Sequence, residues 1–243
     1  MPDAVFDDPR LAAIYDALDP DRSDLDAYLA IIEEIGARSV LDLGCGTGVF
    51  ALMLADRGVE VIGVEPAGAS LDVARAKPGA EGVAWIHGDA SAIPPSTAVD
   101  AVTMTANVAQ VFLTDDEWLA TLHAMRAALR PGGWLIFESR DPRRRAWEDW
   151  TQEKTRSTTD IPGVGAVTEW VQVTDVAGDL VTFESPNVFE ADGTVITSRS
   201  TLRFRSRAEL EESLHASGFT VVDVRDATDR PGRELVFLAR RDG

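Results

Sequence analysis

The first 140 residues alternate between short apolar runs and segments with helical spacing. Apolar runs of strand length predict five strands, over residues 39–43, 59–65, 83–87, 99–104 and 133–138. Residues 49–57 have helical spacing, with Phe50, Leu52 and Met53 able to pack on a sheet, and Gly58 stands where a helix can end. Strands separated by helical patterns are typical of a parallel α/β sheet.

Helices and strands are also predicted on either side of this region. The apolar stripe of residues 9–18 predicts one helix, and Ser23 with Asp26 predicts the capped start of a second. Near the other end, Ser206 and Glu209 form a capping-box pattern for a helix that Gly218 ends. Apolar runs over 219–224 and 234–239 then predict a sixth and a seventh strand.

Residues 140–205 depart from this pattern. They predict antiparallel strands over 166–174, 180–190 and 194–205, joined by turns at 177–179 and 191–193. The first strand alternates polar and apolar side chains, so one of its faces needs a partner. That partner can be the mouth of a site or a second subunit, because C2 pairing is the commonest oligomer. We expect residues 1–139 and 206–243 to form the core, and residues 140–205 an inserted cap for substrate binding or homodimerisation.

A glycine-rich segment follows the first predicted strand, where residues 40–48 read Val-Leu-Asp-Leu-Gly-Cys-Gly-Thr-Gly. Gly44, Gly46 and Gly48 allow a tight turn and the close approach of a ligand. Dinucleotide loops instead have the spacing Gly-x-Gly-x-x-Gly and place a pyrophosphate at a helix N-terminus. Asp42 would repel a pyrophosphate but suits a ligand that carries an ammonium and a sulfonium.

Residues 41–48 resemble the first motif of the class I S-adenosylmethionine (SAM) dependent methyltransferases. The resemblance covers the chain except the insertion, and it implies an α/β, Rossmann-like, seven-stranded and mostly parallel sheet with helices on both faces, and an N-terminal helical lid. It also implies SAM as cofactor and S-adenosylhomocysteine (SAH) as product. Glu65 ends the second strand and can accept hydrogen bonds from both ribose hydroxyls. The family implies that Asp89 takes the adenine amino group.

The N-terminal lid contains both tyrosines of the chain, Tyr15 and Tyr28. In related small-molecule methyltransferases these helices close over the cofactor and tyrosines line the site, although both residues can also serve core packing. The predicted cofactor-binding residues are Tyr28, Asp42, Gly44, Gly46, Gly48, Glu65, Pro66, Asp89, Ala90 and Asn107.

The loop after the fourth strand, residues 105–112, is expected to face the sulfonium and the acceptor, because ligands bind at the carboxyl ends of parallel strands. In the amino-sugar N-methyltransferases that the chain resembles, a histidine commonly stands where this chain has Gln110. A glutamine can only orient, and aligning an in-line displacement can supply most of the acceleration. The candidate catalytic residues are Gln110 and Tyr15, and the candidate substrate-binding residues are Tyr15, Gln110, Glu138, Arg140, Trp147 and Trp150.

Other titratable groups favour structural roles. His123 and His215 fall on helices, and His87 precedes Asp89 at a strand edge, so none is favoured as a general base. The basic cluster of Arg140 with residues 143–145 can hold a phosphate or carboxylate, but the acids that follow favour an ion-paired helix start. No grouping of His, Cys, Asp and Glu has metal-ligand spacing, so no metal is expected.

Composition limits the possible partners and compartments. The chain has 243 residues and a formal net charge of −18, which disfavours a nucleic-acid partner because that needs a basic surface. Its one cysteine, Cys45, allows no intrachain disulfide. No apolar run reaches the ~18–20 residues of a membrane span and no signal-peptide pattern is present, so we expect a cytoplasmic protein without a membrane partner.

The main hypothesis is a SAM-dependent methyltransferase that modifies an amine or hydroxyl of a small metabolite, such as an aminosugar. One alternative is a methyltransferase for protein or peptide side chains, with the insertion as a docking surface. Another is a SAM-binding protein that uses the fold without methyl transfer. A dinucleotide oxidoreductase is the least favoured alternative.

Overall fold

The computed structural model describes residues 2–243 and contains eight α-helices and twelve strands within that range. The helices are α1 Ala4–Asp7, α2 Pro9–Leu18, α3 Asp26–Glu34, α4 Val49–Asp56, α5 Gly68–Ala76, α6 Asp115–Ala128, α7 Gln152–Thr155 and α8 Arg207–Ala216. The strands are β1 Ser39–Leu43, β2 Glu60–Glu65, β3 Val83–His87, β4 Val99–Met104, β5 Leu129–Arg140, β6 Ser157–Ile161, β7 Gly165–Glu169, β8 Gln172–Ala177, β9 Leu180–Phe189, β10 Thr194–Arg203, β11 Phe219–Asp226 and β12 Glu234–Arg241.

Seven strands form one mixed sheet in the order β11-β12-β5-β4-β1-β2-β3. β1 to β5 pair in parallel, whereas β12 pairs antiparallel with both β5 and β11. The predicted seven-stranded, mostly parallel sheet is therefore confirmed. The strand order reverses between β1 and β4, and open α/β sheets bind ligands at the carboxyl ends of their strands at such a point.

Helices cover both faces of this sheet. On one face α6 and α8 contribute Trp118, Leu122, Leu210 and Leu214 to a core that includes Phe137. On the other face the apolar residues of α3 and α4 pack against the alternate strand positions, Val40, Val61, Ala101, Ile136 and Val236. The alternation of side chains along each strand thus gives the sheet two buried faces, as parallel sheets require.

The second sheet differs in detail from the prediction. Its strands run in the order β10-β9-β7-β6, and β8 also pairs with β9. The predicted strand 166–174 is two strands, because Val171 leaves the ladder and its N–H donates to Thr155 Oγ1 at 2.8 Å. β6 was not predicted, and its mostly exposed polar sequence gives no apolar alternation.

The N-terminal helices connect the two sheets. Leu11 and Ile14 of α2 pack with Ile161, Val167 and Phe189 of the second sheet. The predicted cap at Ser23 and Asp26 is wrong: Ser23 lies inside a 3-10 turn that runs directly into α3, so α3 needs no side-chain cap. The predicted capping box at the start of α8 is confirmed.

The helices of residues 2–243 are all too short or too polar to cross a membrane.

Candidate active site

Polar side chains cluster at the carboxyl ends of the central strands, on the face that α3 and α4 cover. Asp42 follows Val40 by two residues on β1, Thr103 follows Ala101 on β4, and Glu138 follows Ile136 on β5, so each pair points to the same face. Asp42, Thr103 and Glu138 are all buried. The amphipathic pattern that builds the core therefore also delivers a row of polar groups to one edge.

The glycine loop has an open face only at Gly46. All three loop glycines have positive φ, of 74° at Gly44, 53° at Gly46 and 79° at Gly48. A Cβ on Gly44 would lie 2.7 Å from Val108, and one on Gly48 would lie 2.6 Å from Trp85, whereas one on Gly46 meets nothing within 4 Å. Packing within the protein therefore requires glycine at positions 44 and 48. The sequence pattern alone had attributed this requirement to the close approach of a ligand. Gly46 is the glycine whose missing side chain leaves open space.

Asp42 presents a buried, unpaired carboxylate oxygen beside this loop. Its Oδ1 accepts a hydrogen bond from Thr103 Oγ1 at 2.8 Å, whereas Oδ2 is buried without a partner among residues 2–243. Burial, reinforced by the nearby Glu65 carboxylate, raises the pKa of Asp42 from 3.8 to about 7. A ligand ammonium would pair with Oδ2 and favour the ionised form.

Glu65 holds the glycine loop in place. Its Oε2 accepts from the Gly46 N–H and its Oε1 from the Ala67 N–H, each at 2.8 Å. Burial raises the pKa of Glu65, and these two backbone bonds oppose the rise. A carboxylate has about four lone-pair sites, so both oxygens retain capacity for ribose hydroxyls. The predicted ribose role of Glu65 therefore stays a prediction, as does that of its neighbour Pro66.

Asp89 is exposed and caps the short turn Ala90–Ala92. Its Oδ1 accepts from the N–H of Ser91 at 2.8 Å and from the Ser91 hydroxyl at 2.6 Å. These bonds lower the pKa of Asp89, so the carboxylate is ionised at neutral pH. Asp89 follows β3, two strands from β1 in the sheet. This position fits the adenine end of a SAM molecule whose amino-acid ammonium would lie at Asp42. The predicted adenine contacts of Asp89 and Ala90 stay predictions.

Asn107 sits in a strained turn at the end of β4. Ala106 and Asn107 both have positive φ, of 54° and 62°, and only one other non-glycine residue of 2–243 does. The Asn107 N–H donates to Glu138 Oε1 at 3.0 Å, and Nδ2 donates to Glu234 Oε1 at 3.1 Å. Backbone strain of this kind persists where surrounding contacts hold it, and it is common at functional sites.

Glu138 is sealed between the lid and this turn. The Tyr28 hydroxyl donates to its Oε2, and its Oε1 accepts from Asn107. Burial and the adjacent Glu234 raise the pKa of Glu138, while burial and the Glu138 charge raise that of Tyr28. Tyr28, predicted to contact the cofactor, thus contacts Glu138 and packs edge-on against Phe50. Both predicted ligand roles stay predictions.

Glu234 and Arg230 belong to the cluster but were not identified from the sequence. Arg230 Nη1 lies 2.9 Å and Arg140 Nε lies 3.6 Å from Glu234 Oε1. Glu234 begins β12, and the antiparallel register places it opposite Arg140 on β5. The sequence carries one signal for the pair of Glu234 and Arg140: Glu234 precedes the apolar run of residues 235–239, and Arg140 ends the neighbouring strand.

Gln110 links the cluster to the second sheet. Its Oε1 accepts from Arg140 Nη1 at 2.9 Å and its Nε2 donates to the Arg203 carbonyl at 3.3 Å. The Arg140 guanidinium lies 5.4 Å from the Trp150 ring centroid, and Trp147 packs edge-on against Phe204 at 4.5 Å. The structure therefore brings Gln110, Arg140 and Trp150 together, whereas Trp147 packs against Phe204. The substrate-binding roles of all four residues stay predictions.

The lid closes directly over the glycine loop. Asp16 of α2 accepts a hydrogen bond from Thr47 Oγ1 at 2.6 Å and pairs with Lys77 Nζ at 2.5 Å. Tyr15 stacks at a tilt on Phe6, and burial raises its pKa, so its hydroxyl is protonated at neutral pH. The lid position predicted for the N-terminal helices is confirmed, and the catalytic role of Tyr15 stays a prediction.

The remaining titratable groups take structural positions. His87, His123 and His215 are exposed. In the basic cluster, residue 145 pairs with residue 148 at 3.0 Å, as expected from the acids that follow the cluster. Arg143 pairs instead with the preceding Asp141 at 2.6 Å, and Arg140 points into the site and donates to Gln110. Within residues 2–243 no group of three or more His, Cys, Asp or Glu side chains could hold a metal ion.

Two surface clefts lie outside the cluster. One, of about 560 Å³, lies between α8 and the edge strand β11, at the far side of the sheet from the glycine loop. Another, of about 310 Å³, is lined by residues around Arg144 and Arg233. Within the polar cluster Gln110 and Glu234 are buried, whereas the Arg140 side chain is 20% exposed.

Comparison with known proteins places these features in context. A family model described as a methyltransferase domain matches residues 40–133. The cypemycin N-terminal methyltransferase of Streptomyces sp is 33% identical over 116 residues, which are 48% of this chain and 47% of that protein. The chain thus spans about half the length of the curated relatives it matches.

Solved structures that match nearly the whole chain include two methyltransferases. The CcbJ methyltransferase from Streptomyces caelestis is 24% identical with a TM-score of 0.73, covering 92% of this chain and 91% of that one. A SAM-bound amino pentose methyltransferase from Micromonospora echinaspora is 24% identical with a TM-score of 0.71, covering 94% and 96%. These likenesses confirm the expected Rossmann-like fold.

Proposed function

We propose that this chain, which contains a class I SAM-dependent methyltransferase domain, transfers a methyl group from SAM to an amine or hydroxyl of a small metabolite. The observation that carries the proposal is the unpaired Asp42 Oδ2 beside the open face of Gly46. A buried anionic oxygen next to a loop that admits close approach fits the ammonium end of SAM. When bound, SAM would supply an activated methyl group as a sulfonium.

The protein residues would hold the cofactor along the strand edge. Asp42 would take its amino group, Glu65 the ribose and Asp89 the adenine, in the order in which β1, β2 and β3 lie in the sheet. Asn107 and Gln110 follow β4, on the other side of β1, which is where the methyl group and the acceptor would meet. Gln110 would orient the acceptor and would not remove a proton.

A small acceptor is favoured because the polar cluster is largely shielded from solvent. Gln110 and Glu234 are buried and the Arg140 side chain is only 20% exposed, so a folded protein surface could not reach them. The amino pentose methyltransferase, whose fold the chain shares, is named for an amine on a small molecule, which is consistent with this acceptor. Closing a site also excludes water, which strengthens every polar contact inside it.

A second candidate acceptor is the N-terminal amine of a short peptide. The name of the cypemycin N-terminal methyltransferase motivates it, since that protein is 33% identical over 116 residues. This candidate replaces the peptide side chain considered from the sequence, and a flexible peptide end could enter a pocket that a folded surface cannot.

The test is methyl transfer from trideuteromethyl-labelled SAM to three acceptor panels: aminosugars, hydroxylated aromatic metabolites and short peptides with free N-termini. Mass spectrometry follows a gain of one labelled methyl group and the formation of SAH. Labelled aminosugar or phenolic products support the proposal, and labelled peptides alone support the second candidate. Tight SAM binding with no SAH formed across all panels would instead indicate a non-methylating SAM-binding protein.

A further inference from the structure

Glu234 and Asn107 present two unpaired hydrogen-bond acceptors in one buried cluster. Their side chains are bonded to each other, Asn107 Nδ2 donating to Glu234 Oε1 at 3.1 Å. Glu234 Oε2 and Asn107 Oδ1 are both buried and have no partner among residues 2–243. Most buried polar atoms are hydrogen-bonded, so two orphans of the same kind side by side indicate a ligand that brings two donors.

The assignment of these atoms follows from their neighbours. Glu234 Oε1 also lies 2.9 Å from Arg230 Nη1 and 3.6 Å from Arg140 Nε, so every donor is on that oxygen. The Asn107 amide must place Nδ2 toward Glu234, because the reverse orientation would set its oxygen against a carboxylate. Oε2 and Oδ1 are therefore the atoms left to accept.

The acceptor amine must bind in its neutral form, because only that form has a lone pair that can attack. Three carboxylates, of Glu138, Glu234 and Asp229, face the two guanidinium groups of Arg140 and Arg230, and Asp229 pairs with Arg230 Nε at 2.6 Å. This excess of carboxylates can stabilise the positive charge that develops on nitrogen during the transfer.

We infer that Glu234 Oε2 and Asn107 Oδ1 accept the two N–H groups of a neutral primary amine on the acceptor, which makes Glu234 a specificity-determining residue. The inference rests on the proposed function and narrows its acceptor to primary amines. In the transfer, the amine lone pair forms the N–C bond as the C–S bond breaks and the sulfur keeps the electron pair. The positive charge moves from sulfur to nitrogen, and the methylated ammonium loses its proton to solvent after release.

The same pairing limits the reaction to one methyl group. A primary amine satisfies both orphan oxygens, whereas a secondary amine or a hydroxyl has a single donor and leaves one oxygen unpaired. Leaving a buried acceptor unsatisfied weakens binding by roughly 5- to 150-fold. The product of the first methylation is thus a poorer ligand than the substrate.

Arg230 covers Glu234 on the solvent side. It lies on the loop between β11 and β12, and its side chain is 37% exposed while that of Glu234 is 1% exposed. Arg230 therefore lies on the path from solvent to the two oxygens.

The chain offers a direct probe, because Asn107 and Asn187 are its only two asparagines. Protein labelled with [¹⁵N₂]asparagine and saturated with SAH gives two side-chain amide signals. Asn187 lies buried on β9, where its Nδ2 donates to the Ser185 carbonyl, so it serves as the internal control. A variant whose two signals keep their wild-type positions is folded. Replacing Asn107 with glycine, which tolerates the positive φ, removes one of the two signals and so assigns both.

The ligands are 2,2,2-trifluoroethylamine, its N-methyl derivative and 2,2,2-trifluoroethanol, titrated at pH 8, where fluorination keeps the amines neutral. We expect the primary amine to shift the Asn107 signal with an apparent Kd at least about five-fold lower than those of the other two ligands. The Asn187 signal should not move. Equal affinities for the three ligands, or no shift of Asn107 with any of them, would overturn the inference.

The variant E234Q tests the carboxylate itself. Oε1 must remain an acceptor for Asn107, Arg140 and Arg230, so the new NH₂ group takes the place of Oε2 and turns an acceptor into a donor. The preference for the primary amine over the alcohol should be lost, whereas E60Q, at the opposite end of the sheet, should retain it. An unchanged preference in E234Q would also overturn the inference.

SAH affinity, measured separately by calorimetry, distinguishes this failure from failure of the proposed function. If SAH binds but the three ligands bind with equal affinity, the inferred amine site is wrong and the proposed function stands. If SAH does not bind, the proposed function fails whatever the Asn107 signal shows.

Discussion

Binding of SAH should depend steeply on pH because Asp42 must be ionised to receive the ligand ammonium. Burial raises the pKa of Asp42 to about 7, so in the free protein much of this carboxyl is protonated at slightly acidic pH. With this pKa, the ionised fraction falls from about 0.76 at pH 7.5 to about 0.03 at pH 5.5. If only the ionised form binds, the apparent Kd of SAH rises about 25-fold across this range.

Isothermal titration calorimetry across pH 5.5–7.5 measures this directly, and buffers of different ionisation enthalpy count the protons released. At pH 6.5 we expect about 0.8 proton released per SAH bound, since that fraction of Asp42 must lose its proton. Without ligand, the stability of the protein should change with pH in the direction opposite to SAH affinity. Because the folded pKa exceeds the unfolded value of 3.8, the folded state holds more protons between pH 4 and 7, and stability falls as pH rises through that window.

Two variants isolate the group responsible. Asp42→Asn should flatten the pH profile and weaken SAH binding at pH 7.5 by roughly 10- to 150-fold, the loss of one hydrogen bond to a charged group. Asp89→Asn is the matched control: the pKa of Asp89 is lowered, so its titration lies below this range and the 25-fold dependence should persist. A steep profile that survives in Asp42→Asn would refute the assignment and point to Glu65, whose pKa is also raised.

Further substitutions test other parts of the account. Gly48→Ala should lower stability by roughly 2–5 kcal/mol, because its Cβ meets Trp85 at positive φ. Gly46→Ala should lower stability by only about 1–2 kcal/mol but abolish SAH binding. Equal melting temperatures for the Gly46→Ala and Gly48→Ala variants would contradict this difference between the two glycines. Glu65→Ala should weaken SAM binding, measured by calorimetry, by roughly 1.5–3 kcal/mol. An unchanged affinity would contradict the ribose contact of Glu65. Gln110→Ala should lower turnover in the labelled-methyl assay without abolishing SAM binding, whereas loss of binding would place it against the cofactor.

The core sheet could be predicted because its signals are local. Each of β1 to β4 is a short apolar run, and the glycine loop sets its turns by backbone conformation, so neighbours in sequence determine both. The capping box at Ser206 is equally local and is formed as its spacing indicates. The identity of the acid at the end of each strand then follows from where the strand ends.

The polar cluster could not be predicted in full because its contacts are distant in sequence. Asn107 and Glu234 are 127 residues apart, and Tyr28 reaches Glu138 across 110. A pattern shows that Glu138 ends a strand, but not that Tyr28 and the Asn107 backbone occupy both of its oxygens. The break at Val171 has the same origin, since it depends on a hydrogen bond to Thr155 on another element.

The predicted homodimer through the second sheet stays a prediction, which sedimentation velocity with and without SAH would test.

The central claim is that SAM lies along the strand edge with its methyl group facing the polar cluster. A crystal structure with SAH tests it most directly. The account predicts the SAH amino group within hydrogen-bond distance of Asp42 Oδ2, the ribose at Glu65, and the sulfur directed toward Asn107 and Gln110. An amino group far from Asp42, or a sulfur that faces away from Asn107 and Gln110, would contradict it.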